Sequence, residues 1–133
     1  MKRRGASAVE FAVVAPVLFL MIFGMIEYGR LIMVQQIITN ASREGAREAV
    51  LDGATSTSVT DQVRIYLQGT SIDPNDVAVA FNVAPQTATA GNPVTVTLTI
   101  DFNQVSWLPG QWFLSNTTMR AQTTMRREAL ASN

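Results

Sequence analysis

Cysteine and histidine are both absent from this chain of 133 residues. Without them the chain can form no disulfide, no thiolate centre and none of the usual zinc sites. A serine nucleophile activated by histidine is excluded for the same reason. Charged residues make up only 15% of the chain, and the acidic and basic residues balance at 10 each, so no net field would attract a nucleic acid. The remaining titratable groups form no convergent set, and we expect no catalytic residue, no metal, no cofactor and no nucleic-acid partner.

The chain is instead rich in apolar sequence near its N-terminus. Residues 11–26 read FAVVAPVLFLMIFGMI without a charge, and counting from Ala6 gives about 21 residues with Glu10 as the only charge, close to the length that spans a bilayer. A soluble core helix would show a polar face, which this stretch lacks. A cleaved secretory signal peptide would need small residues after the run, and the residues that follow, EYGR, match poorly. We therefore predict a transmembrane helix over about residues 6–28.

The basic residues around this segment predict its orientation. The sequence KRR occupies residues 2–4, whereas the far side has only Arg30, offset by the nearby Glu27, before the next cation at Arg43. Because cytoplasmic flanks carry an excess of Lys and Arg, we expect the N-terminus in the cytoplasm and the rest of the chain exported.

The helical pattern continues well beyond Arg30. Its apolar and small residues recur at spacings of three and four. They are Leu31, Val34, Ile38, Ala41, Gly45 and Ala49. With Asp52-Gly53 as a stop, the pattern predicts one long helix over residues 6–52. The small residues at the end of the stripe let another backbone come close. Two partners fit this packing, the chain's own sheet or a neighbouring subunit, and both can apply on different faces.

Residues 53–133 read as an exported α+β head. A polar linker over 53–58 precedes a short second helix, which we expect to be capped at Ser58 and to end at Gly69. Alternating apolar residues then predict strands over 77–83, 94–102 and, more weakly, 117–126. Their connections suit an antiparallel sheet with one face covered by the helices. The predicted fold class is thus α+β, with a long N-terminal transmembrane helix, a second short helix and a three-stranded antiparallel sheet.

One loop of the head is unusually aromatic. Residues 105–114 read VSWLPGQWFL and place Trp107, Leu108, Trp112 and Phe113 outside the predicted strands. These side chains either cap the core of the head or form an exposed patch that meets a partner or the lipid interface.

The order of features at the N-terminus resembles type IV pilin-like proteins. A basic leader is followed by Gly5, small residues, Glu10, an aromatic residue and an apolar helix. The stretches GASAVEFA, EYGR and NASREGAREA are similar to the TadE-like family, minor pseudopilins of the tight-adherence (Tad, Flp) pilus system. This resemblance runs along residues 4–50. It implies a pilin-like head and a structural role in pilus biogenesis and adhesion, with other pilin subunits, the pilus assembly machinery and membrane lipid as partners.

The resemblance also implies specific roles at the start of the chain. Residues 1–5 would be a leader, cut by a prepilin peptidase between Gly5 and Ala6, and Glu10 would become the fifth residue of the mature chain. The positions of the charges are consistent with this cut, because it frees an α-amine about one helical turn from Glu10. A carboxylate in lipid costs roughly 2.5 kcal/mol or more unless it is paired. The α-amine of an adjacent subunit is one partner, and snorkelling to the headgroups is the other solution.

The chain differs in size from many of the proteins that it resembles. Many pilin-like chains of this system are very short, whereas this one has a full head, which favours a minor or accessory subunit. We expect a single-pass protein of the bacterial inner membrane, and the sequence leaves open whether it enters a surface pilus. The alternative is a permanently anchored envelope binding module whose aromatic loop contacts a partner.

Overall fold

One very long helix, a short second helix and a three-stranded sheet make up the fold. A computed structural model describes residues 3–108, 114 and 116–127. Its helices are α1 (Arg3–Ala49) and α2 (Ser56–Gln68), and its strands are β1 (Ala78–Phe81), β2 (Pro93–Asp101) and β3 (Thr118–Arg126). The predicted α+β class, with its long N-terminal helix and antiparallel sheet, is confirmed.

Helix α1 is unbroken over its 47 residues, including the turn around Pro16. At 1.5 Å per residue it is about 70 Å long, more than twice the ~30 Å of a hydrocarbon core. An 18-residue window of this helix has a mean hydropathy of 2.4, and none of that window is buried by the rest of the chain. Its N-terminal half is therefore long and apolar enough to cross a membrane, while its C-terminal half belongs to the head.

The sheet has the order β1-β2-β3 and is antiparallel throughout. Thr95 on the other face of the central strand is also buried, but the predicted alternation is confirmed for the apolar residues of the strand, which face the helices. They are Val94, Val96, Leu98 and Ile100, all buried. Strand β1 is shorter than the predicted 77–83. It stops at Phe81 because the side-chain Oδ1 of Asn82 accepts from the backbone N–H groups of Thr95 (2.7 Å) and Val83 (2.8 Å), which ends the regular ladder.

Helix α2 begins earlier than predicted. Its N-cap is Thr55, whose Oγ1 accepts from the backbone N–H of Ser58 at 3.0 Å, while Ser58 Oγ accepts from the backbone N–H of Thr55 at 3.1 Å. Ser58 is thus the third helical residue of a reciprocal capping box rather than the cap itself, and the prediction of a cap at Ser58 was wrong. Gly69 follows the last helical residue, as predicted.

The core lies between the C-terminal half of α1, helix α2 and the inner face of the sheet. Its fully buried side chains come from all three layers. They are Val34 and Ile38 from α1, Val59, Val63 and Leu67 from α2, and Val94, Val96, Leu98, Ile100 and Phe102 from β2 and the turn after it. The head is therefore built around the very helix whose other half is bare.

Candidate functional site

The N-terminal turns of α1 carry the residues expected at a processing and assembly site. Gly5, Ala6 and Glu10 all lie on this helix and are exposed. A Cβ added at Gly5 would meet no atom within 4 Å, so the folded chain gives no packing reason for glycine there. Ala6 and Glu10 are four residues apart and lie on one face of the helix, about 6 Å apart along its axis.

A belt of exposed apolar side chains follows. Phe11 exposes 70% of its surface, large apolar residues remain exposed as far as Ile26, and Ile32 and Met33 further along α1 are exposed as well. Among them, the rings of Phe19 and Phe23 stack on each other with centroids 6.4 Å apart. Since the described part of the chain does not cover this surface, it fits contact with lipid or with other apolar helices.

The stripe of small residues on α1 is occupied by the chain's own head. Ala41 and Ala49 have no exposed surface. A Cβ added at Gly45 would lie 2.7 Å from Cγ2 of Val63 and 3.3 Å from Cγ1 of Val96, so α2 and β2 approach the helix backbone closely at this glycine. Of the two partners considered from the sequence, the chain's own elements fill this stripe.

Two charged residues at the junction between the bare half of α1 and the head are buried. Arg30 exposes 3% of its surface and Glu27 exposes 4%. Arg30 donates from Nε to the carbonyl of Val105 (2.8 Å), from Nη1 to Oγ of Ser71 (2.7 Å) and from Nη2 to the carbonyl of Ser71 (3.1 Å). One guanidinium therefore ties α1 to two loops of the head.

Glu27 holds the same junction one turn earlier. Its Oε1 accepts a hydrogen bond from Oγ of Ser106, and that Oγ also accepts from the backbone N–H of Leu108 at 3.3 Å. Burial lowers the pKa of Arg30 below the ordinary arginine value. An arginine side chain nevertheless stays protonated in proteins, so Arg30 keeps its positive charge.

Sequence reasoning treated Glu27 and Arg30 only as charges flanking the membrane, and it missed this junction. Their partners at Ser71, Val105 and Ser106 are 41 to 79 residues away along the chain, beyond the reach of a local pattern. One signal was present. Glu27 and Arg30 extend the buried stripe of α1 backwards at the same spacings of three and four, through Val34.

Residues 105–108 of the aromatic loop lie at the junction. Trp107 exposes 61% of its surface, and the guanidinium carbon of Arg30 lies 4.7 Å from the centroid of its ring system. Leu108 is half-buried. Trp112 and Phe113, which belong to the same expected patch, lie outside the described residues. Trp107 is therefore a surface residue held against a buried cation.

The described residues offer little for metal chemistry. Within residues 3–108, 114 and 116–127, no group of three or more Asp or Glu side chains is placed to hold a metal ion. The features that stand out are the bare apolar helix, the acid near its start and the junction at its middle.

A bare apolar half-helix that continues into the core of a small α+β head defines a class of membrane-anchored proteins. Within that class, residues 5–47 match the model of the family described as TadE-like protein, which confirms the resemblance to that family over this segment. The match begins at Gly5 and covers most of α1, and it indicates a structural component associated with Tad pili. No curated protein and no solved structure matches the chain.

Proposed function

We propose that this chain is a minor pseudopilin of TadE-like type that acts in the assembly of a Tad (Flp) pilus. The observation that carries the proposal is the bare surface of α1 within the segment that matches the family. A helix that the described residues of its own chain leave uncovered gains most by packing first in lipid and then against other pilin helices. The chain also carries a fully folded head, which the packing of helices in a fibre does not require. Such a head fits an accessory subunit better than the main subunit of the fibre.

Processing by a prepilin peptidase is supported by the unexplained glycine. Glycine inside a helix is less favourable than alanine by about 1 kcal/mol, and Gly5 has open space around it. The fold therefore does not require it, whereas a peptidase that reads the residue before the cut would. In this proposal cleavage leaves Ala6 as the mature N-terminus and removes the cations of residues 2–4.

The intact mass of the protein purified from its own cells tests the cut. We expect a chain that starts at Ala6, and a start at Met1 or after residue 26 would refute the proposal. Gly5→Leu should leave the leader in place. Gly24→Leu is the matched control, because Gly24 is also a helical glycine with no atom within 4 Å of an added Cβ. The control should be cut normally.

Glu10 is the proposed assembly charge. In a bilayer its carboxylate is unfavourable by roughly 2.5 kcal/mol or more, and the α-amine of Ala6 on an adjacent subunit would offset this. Pairing between subunits would then penalise unassembled monomers and help to fix the stagger of neighbouring helices, as buried polar residues fix register in coiled coils.

Glu10→Gln keeps the shape of the side chain and removes the charge. We expect the variant to be cut and inserted but to lose co-purification with the other pilus subunits. Asp61→Asn is the control, because Asp61 is an exposed acid on α2 whose only ion pair in the described chain is a 4.0 Å contact with Arg64. Normal assembly of the Glu10 variant would contradict the pairing role.

The proposed orientation places the head outside the cytoplasmic membrane. The absence of cysteine makes a single engineered thiol a clean reporter. Thr57→Cys, on an exposed position of α2, should react with a membrane-impermeant maleimide in intact spheroplasts. Reaction only after lysis would place the head in the cytoplasm.

A second candidate function is a permanently anchored envelope binding module. Its supporting observation is the exposure of Trp107 at the surface of the head. This candidate requires the uncut chain of 133 residues in the mature protein, so the same mass measurement separates the two functions.

A further inference from the structure

We propose that the head rests on the membrane surface through the segment 105–108, with the indole of Trp107 in the interfacial layer of the leaflet on the head side. The inference rests on the proposed insertion of α1 in a bilayer. The exposed face of Trp107 would meet the lipid interface rather than a protein partner.

The height of Trp107 along α1 is the first argument. Its ring lies over the guanidinium of Arg30, and Arg30 is only about 6 Å further along the helix axis than Ile26, the last residue of the uncharged run. The headgroup region adds roughly 5–8 Å to each side of the hydrocarbon core. A leaflet whose hydrocarbon ends near Ile26 therefore places the indole within the headgroup layer.

The chemistry of the exposed surface is the second argument. Tryptophan combines a large apolar ring system with one N–H donor, and it is enriched at membrane interfaces for that reason. Tyr28 lies at nearly the same height and exposes 63% of its surface. Since Tyr28 precedes Arg30 by two residues, it lies about 200° around the helix from it. The two aromatic side chains thus lie on opposite sides of the helix axis, as expected for a belt at one interface.

The attachment of residues 105–108 to α1 supports the same placement. The carbonyl of Val105 and the hydroxyl of Ser106 are bound by Arg30 and Glu27, so the backbone on the N-terminal side of Trp107 is fixed to α1. Val105 is itself buried. The cation behind the ring adds an attractive cation–π contact that holds the indole in place. Contact with lipid would then require little further ordering of residues 105–108.

This arrangement gives the junction a clear role. Glu27 and Arg30 cannot contact lipid themselves, because the head covers them. They position Trp107 instead, and the indole meets the membrane in their place. The head would consequently be held at a fixed height above the bilayer, and in a fixed orientation, before any other subunit binds.

Quenching of tryptophan fluorescence by brominated lipid tests the proposal on the full processed chain. Trp112→Phe leaves Trp107 as the single tryptophan of the protein. The vesicles contain phosphatidylcholine with bromine atoms on the acyl chains close to the headgroup. In these vesicles the fluorescence emission of Trp107 should be weaker than in unbrominated vesicles. Soluble acrylamide should quench Trp107 less in the vesicles than in the denatured chain. Trp112→Tyr, handled in parallel, guards against a defect specific to the phenylalanine variant.

A second reporter separates this inference from the proposed function. Tyr28→Trp, combined with Trp107→Phe and Trp112→Phe, reports on the depth of α1 alone. Quenching by the lipid at both positions supports the proposal. Quenching at position 28 without quenching of Trp107 overturns the contact while leaving the membrane anchor intact, and so does shielding of Trp107 that appears only when another pilus protein is added. No quenching at either position overturns both the contact and the insertion of α1.

Discussion

The close packing at Gly45 gives the most quantitative prediction. An added Cβ would lie 2.7 Å from Cγ2 of Val63, nearer than real contacts allow, and Val63 is fully buried. Valine is also stiff about χ1, so this methyl group has little room to turn away. Gly45→Ala should therefore force α1 and α2 apart.

Two opposing effects set the magnitude for Gly45→Ala. Overpacking a filled core destabilises by about 1–3 kcal/mol, whereas alanine is more favourable than glycine in a helix by about 1 kcal/mol. We expect a net loss of about 1 kcal/mol in the free energy of unfolding of the head. Gly29→Ala is the matched control, because Gly29 lies on the same helix with nothing within 4 Å of an added Cβ. It should lose no stability.

Denaturant unfolding of the full chain in mild detergent, followed by tryptophan fluorescence, measures these differences. Val63→Ala alone should destabilise the head by about 2 kcal/mol through two lost methyl groups and a cavity. Combined with Gly45→Ala it removes the clashing atom, so the double variant should be more stable than the sum of the two effects by at least about 0.5 kcal/mol. Strict additivity, or a Gly45→Ala variant as stable as Gly29→Ala, would refute the close-packing argument.

Three further substitutions can be measured by the same unfolding assay. Thr55→Ala removes the cap of α2 and should destabilise by about 1 kcal/mol, whereas the exposed Thr57→Ala should change little; equal effects would contradict the capping box. Ser42→Ala removes a buried hydroxyl 2.7 Å from Oγ1 of Thr123 and should cost about 1 kcal/mol; an unchanged midpoint would contradict that contact. Arg30→Lys cannot reproduce the forked contacts to two loops and should destabilise by about 1–3 kcal/mol, with a shift in the emission of Trp107; wild-type stability and emission would show that the junction is dispensable.

Local patterns predicted the regular parts of this fold. The alternation from Val94 to Ile100 identified the central strand and its buried face, because a strand with one wet face repeats every two residues. The uncharged run before Glu27 identified the bare half of α1 by composition alone. In both cases neighbouring residues carry the whole signal.

Boundaries and long-range contacts were harder to predict. The start of α2 was misplaced because Thr55 and Ser58 are both good capping residues, and only the reciprocal hydrogen bonds show which one is the cap. The end of β1 depends on the amide of Asn82, which replaces a backbone partner. The junction at Glu27 and Arg30 depends on loops far along the sequence, so their burial could not be read from their charge.

The continuity of α1 has a mechanical consequence. Because the head folds around the same unbroken helix that would span the bilayer, no flexible joint separates the two parts. A tilt of the membrane half of the helix would therefore move the head with it, as parts of one rigid rod. From Arg30 to Ala49 the helix extends about 29 Å, and a tilt of about 20°, ordinary for a transmembrane helix, would swing its far end sideways by about 10 Å. A change in bilayer thickness, or a pull on the bare half of α1 within the membrane, would thus be transmitted directly as a displacement of the head.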